Sequence, residues 1–314
     1  MFSYRHVFHA GNHADVLKHS VLLALLEHLQ RKDGALTIID THAGAGRYRL
    51  DGPEACTSGE AEHGVLRLLE HTNQAPGQAQ PAQNASKVIA TSTWSDLLAH
   101  YRKAVGADQP SGSMRVYPGS PLLLAQRLRP QDRLKLFELH PTDSRALSTL
   151  VARWPQARQV TLERQDGFEG WRALLPPPSR RALLLCDPSY EIKTDYARVA
   201  QLLAEALRRF ATGCYLVWYP IIPREAAHAL PRRLRTLAQT AGRPWLHATL
   251  TVRSGRVQRG EDGQPLPAGL PGSGVFVVNP PHTLAGDLRP ALQQMRELLA
   301  RDARAHTTLE GHEP

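Results

Sequence analysis

The chain has 314 residues, of which 42% are hydrophobic, and carries a formal net charge of +9. It has no apolar run of about 18 residues, so no membrane-spanning helix is expected, and its polar N-terminus lacks the apolar segment of a secretory signal. We therefore expect a cytoplasmic protein. The basic charge favours a polyanionic partner such as a nucleic acid, although a basic surface without that role would give the same charge.

The cysteine and histidine patterns argue against covalent or metal cross-links. Cys56, Cys186 and Cys214 form no C-x-x-C pair, and the last two lie in apolar runs that are typical of core positions. The histidines are not accompanied by other ligands at metal-site spacing. We expect no disulfide and no metal.

The N-terminal part predicts a helix followed by a buried strand. Apolar residues recur at helical spacing over 14–29, and Asn12 stands where a helix N-cap would stand. The run ALTIID (35–40) predicts a strand that ends in an acid, and the glycine-rich turn THAGAGRY follows it. This succession is typical of an α/β domain.

Residues 51–112 interrupt that pattern. The stretch 71–87 is rich in Gln, Ala, Pro and Asn, which predicts a flexible loop, and the flanking segments 60–70 and 92–105 have helical patterns. We interpret 51–112 as an inserted helical subdomain within one domain made of residues 1–50 and 113–301. Residues 302–314 form a C-terminal tail to which the sequence assigns no role.

Strands and helices alternate again after the insertion. Apolar runs predict strands at 133–139, 159–166, 181–187, 213–220, 245–252 and 274–280, with helices at 142–152, 194–210, 223–241 and 283–301. This alternation favours a mostly parallel sheet covered by helices on both faces. Only the loop 254–273 joins the last two strands, which suits an antiparallel strand at the edge of the sheet. The prediction is an α/β, Rossmann-like class I methyltransferase fold with seven strands, the last antiparallel.

Acidic residues end successive predicted strands. These residues are Asp40, Glu138, Asp166 and Asp187. The carboxyl ends of parallel strands form the ligand-binding edge of such a sheet, and crowded carboxylates raise one another's free energy. Hydrogen-bond donors and positive charge on a ligand would offset that cost, and S-adenosylmethionine has both. The Gly44/Gly46 turn suits close approach to a ligand, although many such turns exist for packing alone.

The segment Asp187-Pro188-Ser189-Tyr190 predicts chemistry on an aromatic amine. An exocyclic amine of adenine is a poor nucleophile because its lone pair is delocalised into the ring. The Asp187 side chain and the Pro188 carbonyl can each accept one of its hydrogens, and Tyr190 can stack on a flipped base. A surface turn with an incidental tyrosine is the simpler alternative.

Several motifs together closely resemble the RlmJ family. The motifs are SYRHVFHAGNHADVLKH, DTHAGAGRY, YPGSP, ELHP, DGF, the Asp-Pro-x-Tyr segment and WYP. Members of this family are 23S ribosomal RNA adenine-N6 methyltransferases that use S-adenosylmethionine. The resemblance extends from residue 2 to about residue 282 and is weakest over 51–112.

The resemblance implies a role for each matching residue. The predicted catalytic residue is Asp187, with Pro188 and Tyr190 beside it, and the predicted RNA contacts are Tyr4 and Tyr190. The predicted cofactor-binding residues are Lys18, His19, His42, Gly44, Ser120, Glu138, Asp166, Gly167 and Asp187.

One departure from the family motif concerns residue 189. The family has Asp-Pro-Pro-Tyr, whereas this chain has Ser189. Both groups expected to accept the amine hydrogens, Asp187 and the Pro188 carbonyl, are retained, so we expect a more flexible turn and a retained activity. The similar stretch Asn279-Pro280-Pro281-His282 lacks an aromatic residue, and we expect it to lie away from the substrate.

Two alternatives stay open at this point. Related enzymes methylate DNA adenine or a protein glutamine amide, and an RNA-binding module without catalysis would also be basic. Retention of the strand-end acids favours an enzyme, and the charge favours nucleic acid. We expect 23S rRNA, naked or in an early assembly intermediate, as the partner of a monomeric protein. The candidate phosphate contacts near the expected cleft mouth are Arg5, Arg47, Arg49, Lys193, Arg224, Arg232, Arg233 and Arg235.

Overall fold

A computed structural model of the chain describes residues 5–70, 94–106, 114–255 and 269–312. The predicted RNA contact Tyr4 and the predicted flexible loop 71–87 lie outside the described residues.

The strands form an eight-stranded mixed sheet and a small two-stranded ribbon. In chain order they are β1 (Thr37–Asp40), β2 (Arg47–Arg49), β3 (Val116–Pro118), β4 (Arg133–Phe137), β5 (Val160–Glu163), β6 (Ala182–Cys186), β7 (Cys214–Ile221), β8 (Trp245–Thr251), β9 (Gly272–Val278) and β10 (His306–His312). The large sheet has the order β10-β8-β9-β7-β6-β1-β4-β5, and β2 pairs with β3. The neighbouring strands β5, β4, β1, β6 and β7 are mutually parallel. The expected α/β class with a mostly parallel sheet is therefore confirmed.

The part of the sheet formed by β8, β9 and β10 differs from the prediction in two respects. Strand β9 is antiparallel as expected, but it lies between β7 and β8 instead of at the edge. The edge strand is β10, which comes from the predicted tail and pairs with β8, so the sheet has eight strands. Its sequence, HTTLEGH, is short and polar, so it shows too little hydrophobic periodicity to be predicted as a strand. It is a strand because it pairs with β8.

The helices surround the sheet on both faces. They are α1 (His13–Gln30), α2 (Pro53–Ser58), α3 (Val65–Glu70), α4 (Asp96–Val105), α5 (Ser120–Ala125), α6 (Pro141–Val151), α7 (Gly167–Gly170), α8 (Asp195–Arg209), α9 (Glu225–Thr240) and α10 (Leu284–Leu299). Successive strand residues point to opposite faces. Ile38 accordingly packs in a core with α1, α4 and α10, whereas Ile39 packs in a second core with α8 and α9.

Helix α1 is buried along most of its length and positions the site. The Asn12 side chain caps it by accepting hydrogen bonds from Ala14 N and Asp15 N, both at 3.0 Å, as expected. The helix follows the sheet from the carboxyl edge, where Lys18 contacts Asp187, to the opposite edge, where β1 begins. Polar residues of its first turns therefore lie above the strand ends.

The described part of the insertion packs directly on this domain. Helix α4 contacts α1 and α10, and its residues Leu97, Leu98 and Tyr101 belong to the same core as Ile38. Helices α3 and α4 occur where helical patterns predicted them. The division into a domain and an inserted subdomain stays a prediction.

Candidate active site

A cleft opens at the carboxyl ends of β1, β4 and β6. Its lining includes nearly all of the predicted site residues, namely Lys18, His19, His42, Gly44, Ser120, Glu138, Asp166, Gly167, Asp187 and Pro188. These residues come from six separate parts of the chain. The strand ends bring them together because parallel strands end at one edge of the sheet.

The glycine turn after β1 is tied to the end of β4. Gly44 has a φ of +65°, and a Cβ at this position would lie 2.2 Å from the Tyr48 hydroxyl, so both conformation and space require glycine. Its N–H donates to Glu138 Oε2 at 2.7 Å, and His140 N–H donates to Oε1 at 2.7 Å. Burial raises the pKa of Glu138 even though these hydrogen bonds favour the carboxylate.

Asp40 lies beneath the cleft and is completely buried. The Ser120 hydroxyl donates to its Oδ2 at 2.7 Å, and His42 N–H donates to Oδ1 at 3.2 Å. Burial raises the pKa of Asp40 to about 7, with a further contribution from the negative charge of Asp187. Asp40 therefore keeps its proton through mildly acidic conditions.

The stability of the fold should depend on the ionisation of Asp40. The pKa of Asp40 rises from 3.8 to about 7 on folding. Between these values the folded chain keeps a proton that the unfolded chain loses, so the free energy of unfolding falls as pH rises through this window. At about 1.36 kcal/mol per pKa unit the loss should reach a few kcal/mol.

The variant Asp40→Asn should lack this dependence, because an amide does not titrate and still accepts from Ser120. Urea unfolding gives the free energy of unfolding of each protein at about pH 5 and at about pH 8. The change between the two pH values is then compared between the parent and the variant, because titrating groups that both proteins share contribute equally to each change. Equal pH dependence in the two proteins would contradict the raised pKa of Asp40.

Asp166 connects the end of β5 to helix α8. Its Oδ1 accepts from Phe168 N at 2.9 Å and so caps α7, while Arg198 donates to Oδ2 at 2.6 Å. Burial disfavours the Asp166 carboxylate, but the hydrogen bonds from Arg198 and Phe168 together with the positive charge of Arg198 outweigh it, and the pKa of Asp166 is lowered. A Cβ on Gly167 would lie 1.6 Å from the Thr41 carbonyl oxygen, so only glycine permits this approach.

Two histidines that line the cleft are held in the neutral form. His42 Nδ1 lies 2.8 Å from the Thr41 hydroxyl, and burial lowers its pKa to about 4. His19 Nδ1 lies 2.7 Å from the Tyr117 hydroxyl, and burial lowers its pKa to about 3. The Nε2 of His19 is buried without a hydrogen-bond partner. A polar ligand in the cleft would satisfy this atom.

An ion-paired network joins α1 to the end of β6. Lys18 Nζ lies 2.5 Å from Asp187 Oδ2 and 2.8 Å from Asp15 Oδ1. Burial disfavours the Lys18 ammonium, but the two carboxylates outweigh this cost and raise its pKa. Asp15 also accepts from Gly11 N at 2.8 Å and lies 3.1 Å from His6 Nε2. Sequence reasoning missed Asp15, for which the i, i+3 spacing to Lys18 was the available signal.

Among the predicted site residues that the structure describes, Tyr190 is the one that does not line the cleft. It is 3% exposed, and its hydroxyl donates to the Trp218 carbonyl at 2.6 Å. Its ring centroid lies 4.6 Å from that of Tyr196 and 5.9 Å from that of Trp218. In this arrangement the ring holds the segment after β6 against β7, and its stacking on a base stays a prediction.

The two possible roles of Tyr190 can be separated by variants. Tyr190→Phe removes the hydrogen bond to Trp218 and should cost about 1 kcal/mol of stability while the ring remains. Tyr190→Ala removes the ring as well and should additionally weaken productive binding of the RNA base. The readout is KM and kcat with RNA beside the free energy of unfolding. An unchanged rate for Tyr190→Ala would count against stacking.

Comparison with known proteins identifies the family. The model of the family described as "RsmJ: Ribosomal RNA large subunit methyltransferase D, RlmJ" matches residues 33–311. The chain belongs to the RlmJ family. A relative in Escherichia coli (strain K12), "Ribosomal RNA large subunit methyltransferase J", is 38% identical over 98% of each chain. The protein of the same name in Haemophilus influenzae is 37% identical over 99% of this chain and 98% of its own.

A solved structure supports the fold of this RlmJ family member. Protein LPL1258 from Legionella pneumophila str. Philadelphia 1 matches with a TM-score of 0.77 and 28% identity, covering 96% of this chain and 98% of that one. Together with the family assignment and the strand order of the large sheet, this match confirms the Rossmann-like methyltransferase fold expected from the sequence.

The position that departs from the RlmJ motif, Ser189, lies in the turn after β6, and the retained activity expected there stays a prediction. Ser189 lines the cleft beside Pro188, and its hydroxyl accepts from Glu191 N at 3.5 Å. The neighbouring Tyr190 has a φ of +55°, a conformation that costs free energy in a non-glycine residue. The segment keeps Asp187 and Pro188 in the lining of the cleft.

The second Asn-Pro-Pro segment lies at the opposite edge of the sheet. Strand β9 is antiparallel, and its last residue, Val278, pairs with Tyr215 at the beginning of β7. The Asn279 amide donates to the carbonyls of Ala211 and Gly213 at 2.8 and 2.6 Å. These contacts give the segment a structural role away from the cleft.

Some of the candidate phosphate contacts are already paired. Arg235 contacts Glu310 and packs on Trp245 at the beginning of β8, which is the edge opposite the cleft. Arg49 is paired with Asp51 at 2.9 Å. These two arginines are therefore weaker candidates than the sequence suggested.

The described residues lack both a cluster suited to a metal ion and a helix suited to crossing a membrane. That part of the chain holds no group of three or more His, Cys, Asp and Glu side chains placed to bind a metal ion. Its helices include none that is both long and apolar enough to cross a membrane.

Proposed function

We propose that the protein transfers a methyl group from S-adenosylmethionine to the N6 amine of an adenine in 23S rRNA. The named relatives are ribosomal RNA large subunit methyltransferases, which supports the reaction and the substrate class. The observation that carries the adenine assignment is the placement of Asp187 and Pro188 in the same cleft as Glu138 and Asp166. The proposal includes a monomeric protein in the cytoplasm that acts on naked rRNA or an early assembly intermediate.

The residues of the cleft fit the cofactor. The Glu138 oxygens each accept one backbone hydrogen bond and each keep a second lone pair for a ribose hydroxyl. His19 Nε2 is a buried group in need of a partner. The wider set that would hold the cofactor is Lys18, His42, Gly44, Ser120, Asp166 and Gly167. When bound, S-adenosylmethionine supplies an electrophilic methyl carbon.

The acceptor amine would be held by Asp187 and Pro188. Lys18 occupies Oδ2 of Asp187, and within the described residues no hydrogen bond reaches Oδ1, which can accept one amine hydrogen. The Pro188 carbonyl can accept the other. Two fixed acceptors stabilise the positive charge that the nitrogen gains as it is alkylated. The buried contact with Lys18 fixes the carboxylate, which limits its loss of freedom during the reaction.

The adenine must reach the cleft from an unpaired or flipped position, because a stacked, paired base hides its amine. We propose that Tyr190 contacts the entering base and that Tyr4, by family resemblance, contacts the RNA. The Tyr190 contact would require its ring to become accessible from the cleft side.

The test is methyl transfer from labelled S-adenosylmethionine to protein-free 23S rRNA, followed by nucleoside analysis. Label in N6-methyladenosine is the expected result. No label with intact cofactor binding by calorimetry would redirect the search to DNA adenine or a protein glutamine amide. Absence of both label and cofactor binding would favour an RNA-binding module without catalysis.

A further inference from the structure

A cluster of basic side chains lies beyond the end of β8, outside the cleft. We call it the β8-end basic cluster; its members are His13, His63, Arg67, Arg253 and Arg301. They come from the beginning of α1, the segment before α3, α3 itself, and the segments after β8 and α10. None of them lines the cleft described above.

Backbone contacts place Arg253 and Arg301 side by side, and Arg67 lies near enough to Arg301 for the two charges to repel each other. Arg301 N–H donates to the Val252 carbonyl at 2.7 Å, and the Arg253 guanidinium donates to the Gly269 carbonyl. A Cβ built on Gly269 would lie 3.9 Å from Arg301 Nη1 and 3.3 Å from Glu60 Oε1. Two guanidinium groups therefore flank one short stretch of backbone.

The cluster carries more positive than negative charge. Glu60 is the carboxylate that acts on Arg301, and it is already engaged by His9 Nδ1 at 3.1 Å and by the Asn12 amide at 2.8 Å. A second carboxylate, Glu62, lies near His63. No salt bridge to Arg67, Arg253 or Arg301 occurs within the part of the chain that the structure describes. Burial, and then the repulsion from Arg253, lowers the pKa of Arg301. A bound anion would lower the electrostatic free energy of like charges that are held together in this way.

Two buried members of the cluster have unsatisfied polar atoms. Arg253 is 3% exposed and His13 is 6% exposed, and the Arg253 Nε and the His13 Nε2 have no hydrogen-bond partner. Arg301 and His63 are exposed, and Arg67 is partly exposed. Arg253 thus supplies positive charge from below. Burial lowers the pKa of His13 to about 4, so His13 is neutral and offers only a polar ring nitrogen. The accessible members can contact a ligand from solvent.

The cluster lies on the same edge of the sheet as Asp187. Strand β8 runs in the same direction as β6, and two strands separate them. Three strand spacings amount to about 14 Å, which is the span of roughly four nucleotides of a stacked strand. His13 also precedes Lys18 in α1 by about 7.5 Å of helix. A strand whose base enters the cleft could therefore reach the cluster with its backbone.

We propose that the β8-end basic cluster binds a backbone phosphate of the substrate RNA a few nucleotides from the target adenine. Arg301 and Arg67 make the contact, and the buried Arg253 contributes positive charge from below. The contact positions the strand without reading its sequence. This inference rests on the proposed function for the identity of the natural ligand, whereas the phosphate site itself is defined by the cluster.

The test compares Arg301→Gln with a matched control, Arg158→Gln. Arg158 is also exposed and precedes β5 at the opposite edge of the sheet. Binding of a labelled oligouridine, which lacks adenine, is measured by anisotropy over a range of salt concentrations. Arg301→Gln should weaken binding roughly 3- to 10-fold and reduce the slope of log K against log salt by about 0.7, the value of one phosphate contact on a single strand. Arg158→Gln should match the parent.

The same variants in methyl transfer to 23S rRNA complete the test. Arg301→Gln should raise KM and leave kcat unchanged, because the contact lies away from the reacting atoms. Equal salt slopes for Arg301→Gln, Arg158→Gln and the parent would overturn the phosphate site even if methylation is normal. Failure of the parent to methylate adenine would overturn the proposed function, while a slope difference on oligouridine would still support the site.

Discussion

Replacing Asp187 with Ala should reduce kcat for methyl transfer by about 10³-fold, the loss typical of removing one fixed partner of a developing charge. The change removes an acceptor for the amine but leaves Glu138, Asp166 and the glycine turn in place, so cofactor affinity should stay within a few-fold of the parent. Lys18 keeps its contact with Asp15 at 2.8 Å, so it is not left as an isolated buried charge. Single-turnover rates with saturating RNA and calorimetry of cofactor binding separate the two effects.

A matched control for this variant is Glu163→Gln. Glu163 is an exposed acid at the end of β5 that does not line the cleft, and its replacement should not change the rate. If Asp187→Ala retains turnover within a few-fold of the parent, the catalytic assignment is wrong. A large loss of cofactor affinity in Asp187→Ala would instead assign Asp187 to cofactor binding.

Lys18→Met should strongly destabilise the protein. The lysine side chain is 5% exposed and is paired with Asp15 and Asp187, whose side chains are 2% and 13% exposed. Removing one partner of a buried ionic group leaves uncompensated charge, which costs about 3–5 kcal/mol. Methyl transfer should fall as well, because Asp187 loses the contact that fixes its orientation. Urea unfolding at neutral pH gives the stability, and single-turnover kinetics give the rate.

The effect of Lys18→Met can be assigned to the ion network by comparison. Lys103→Met removes an exposed lysine of α4 and should change stability by no more than about 0.5 kcal/mol. A double variant, Lys18→Met with Asp15→Asn, should recover part of the loss because it removes one of the unpaired carboxylates. Equal stabilities of Lys18→Met and Lys103→Met would show that the network contributes nothing to folding.

The local pattern was enough to predict most elements and the position of the cleft. Apolar runs of strand length, helical spacing in α1 and the Asn12 cap depend on residues that are close in sequence. The acids Asp40, Glu138, Asp166 and Asp187 could be placed at one edge because parallel strands align their carboxyl ends. Strand β10 and the central position of β9 were missed, since strand order depends on pairing partners and not on the strand's own sequence.

The sequence by itself determined which residue types stand at the ends of the strands, and with them the expected cofactor and reaction. Only the tertiary structure decided the pKa and the ion-pair partner of each of these side chains. Asp40 has a pKa of about 7 because it is fully buried, whereas the pKa of Asp166 is lowered by Arg198 from another helix. Lys18 and Asp187, 169 residues apart, form one ion pair. Burial and pairing arise from long-range packing, so residues with the same side chain and the same local pattern acquire different chemistry.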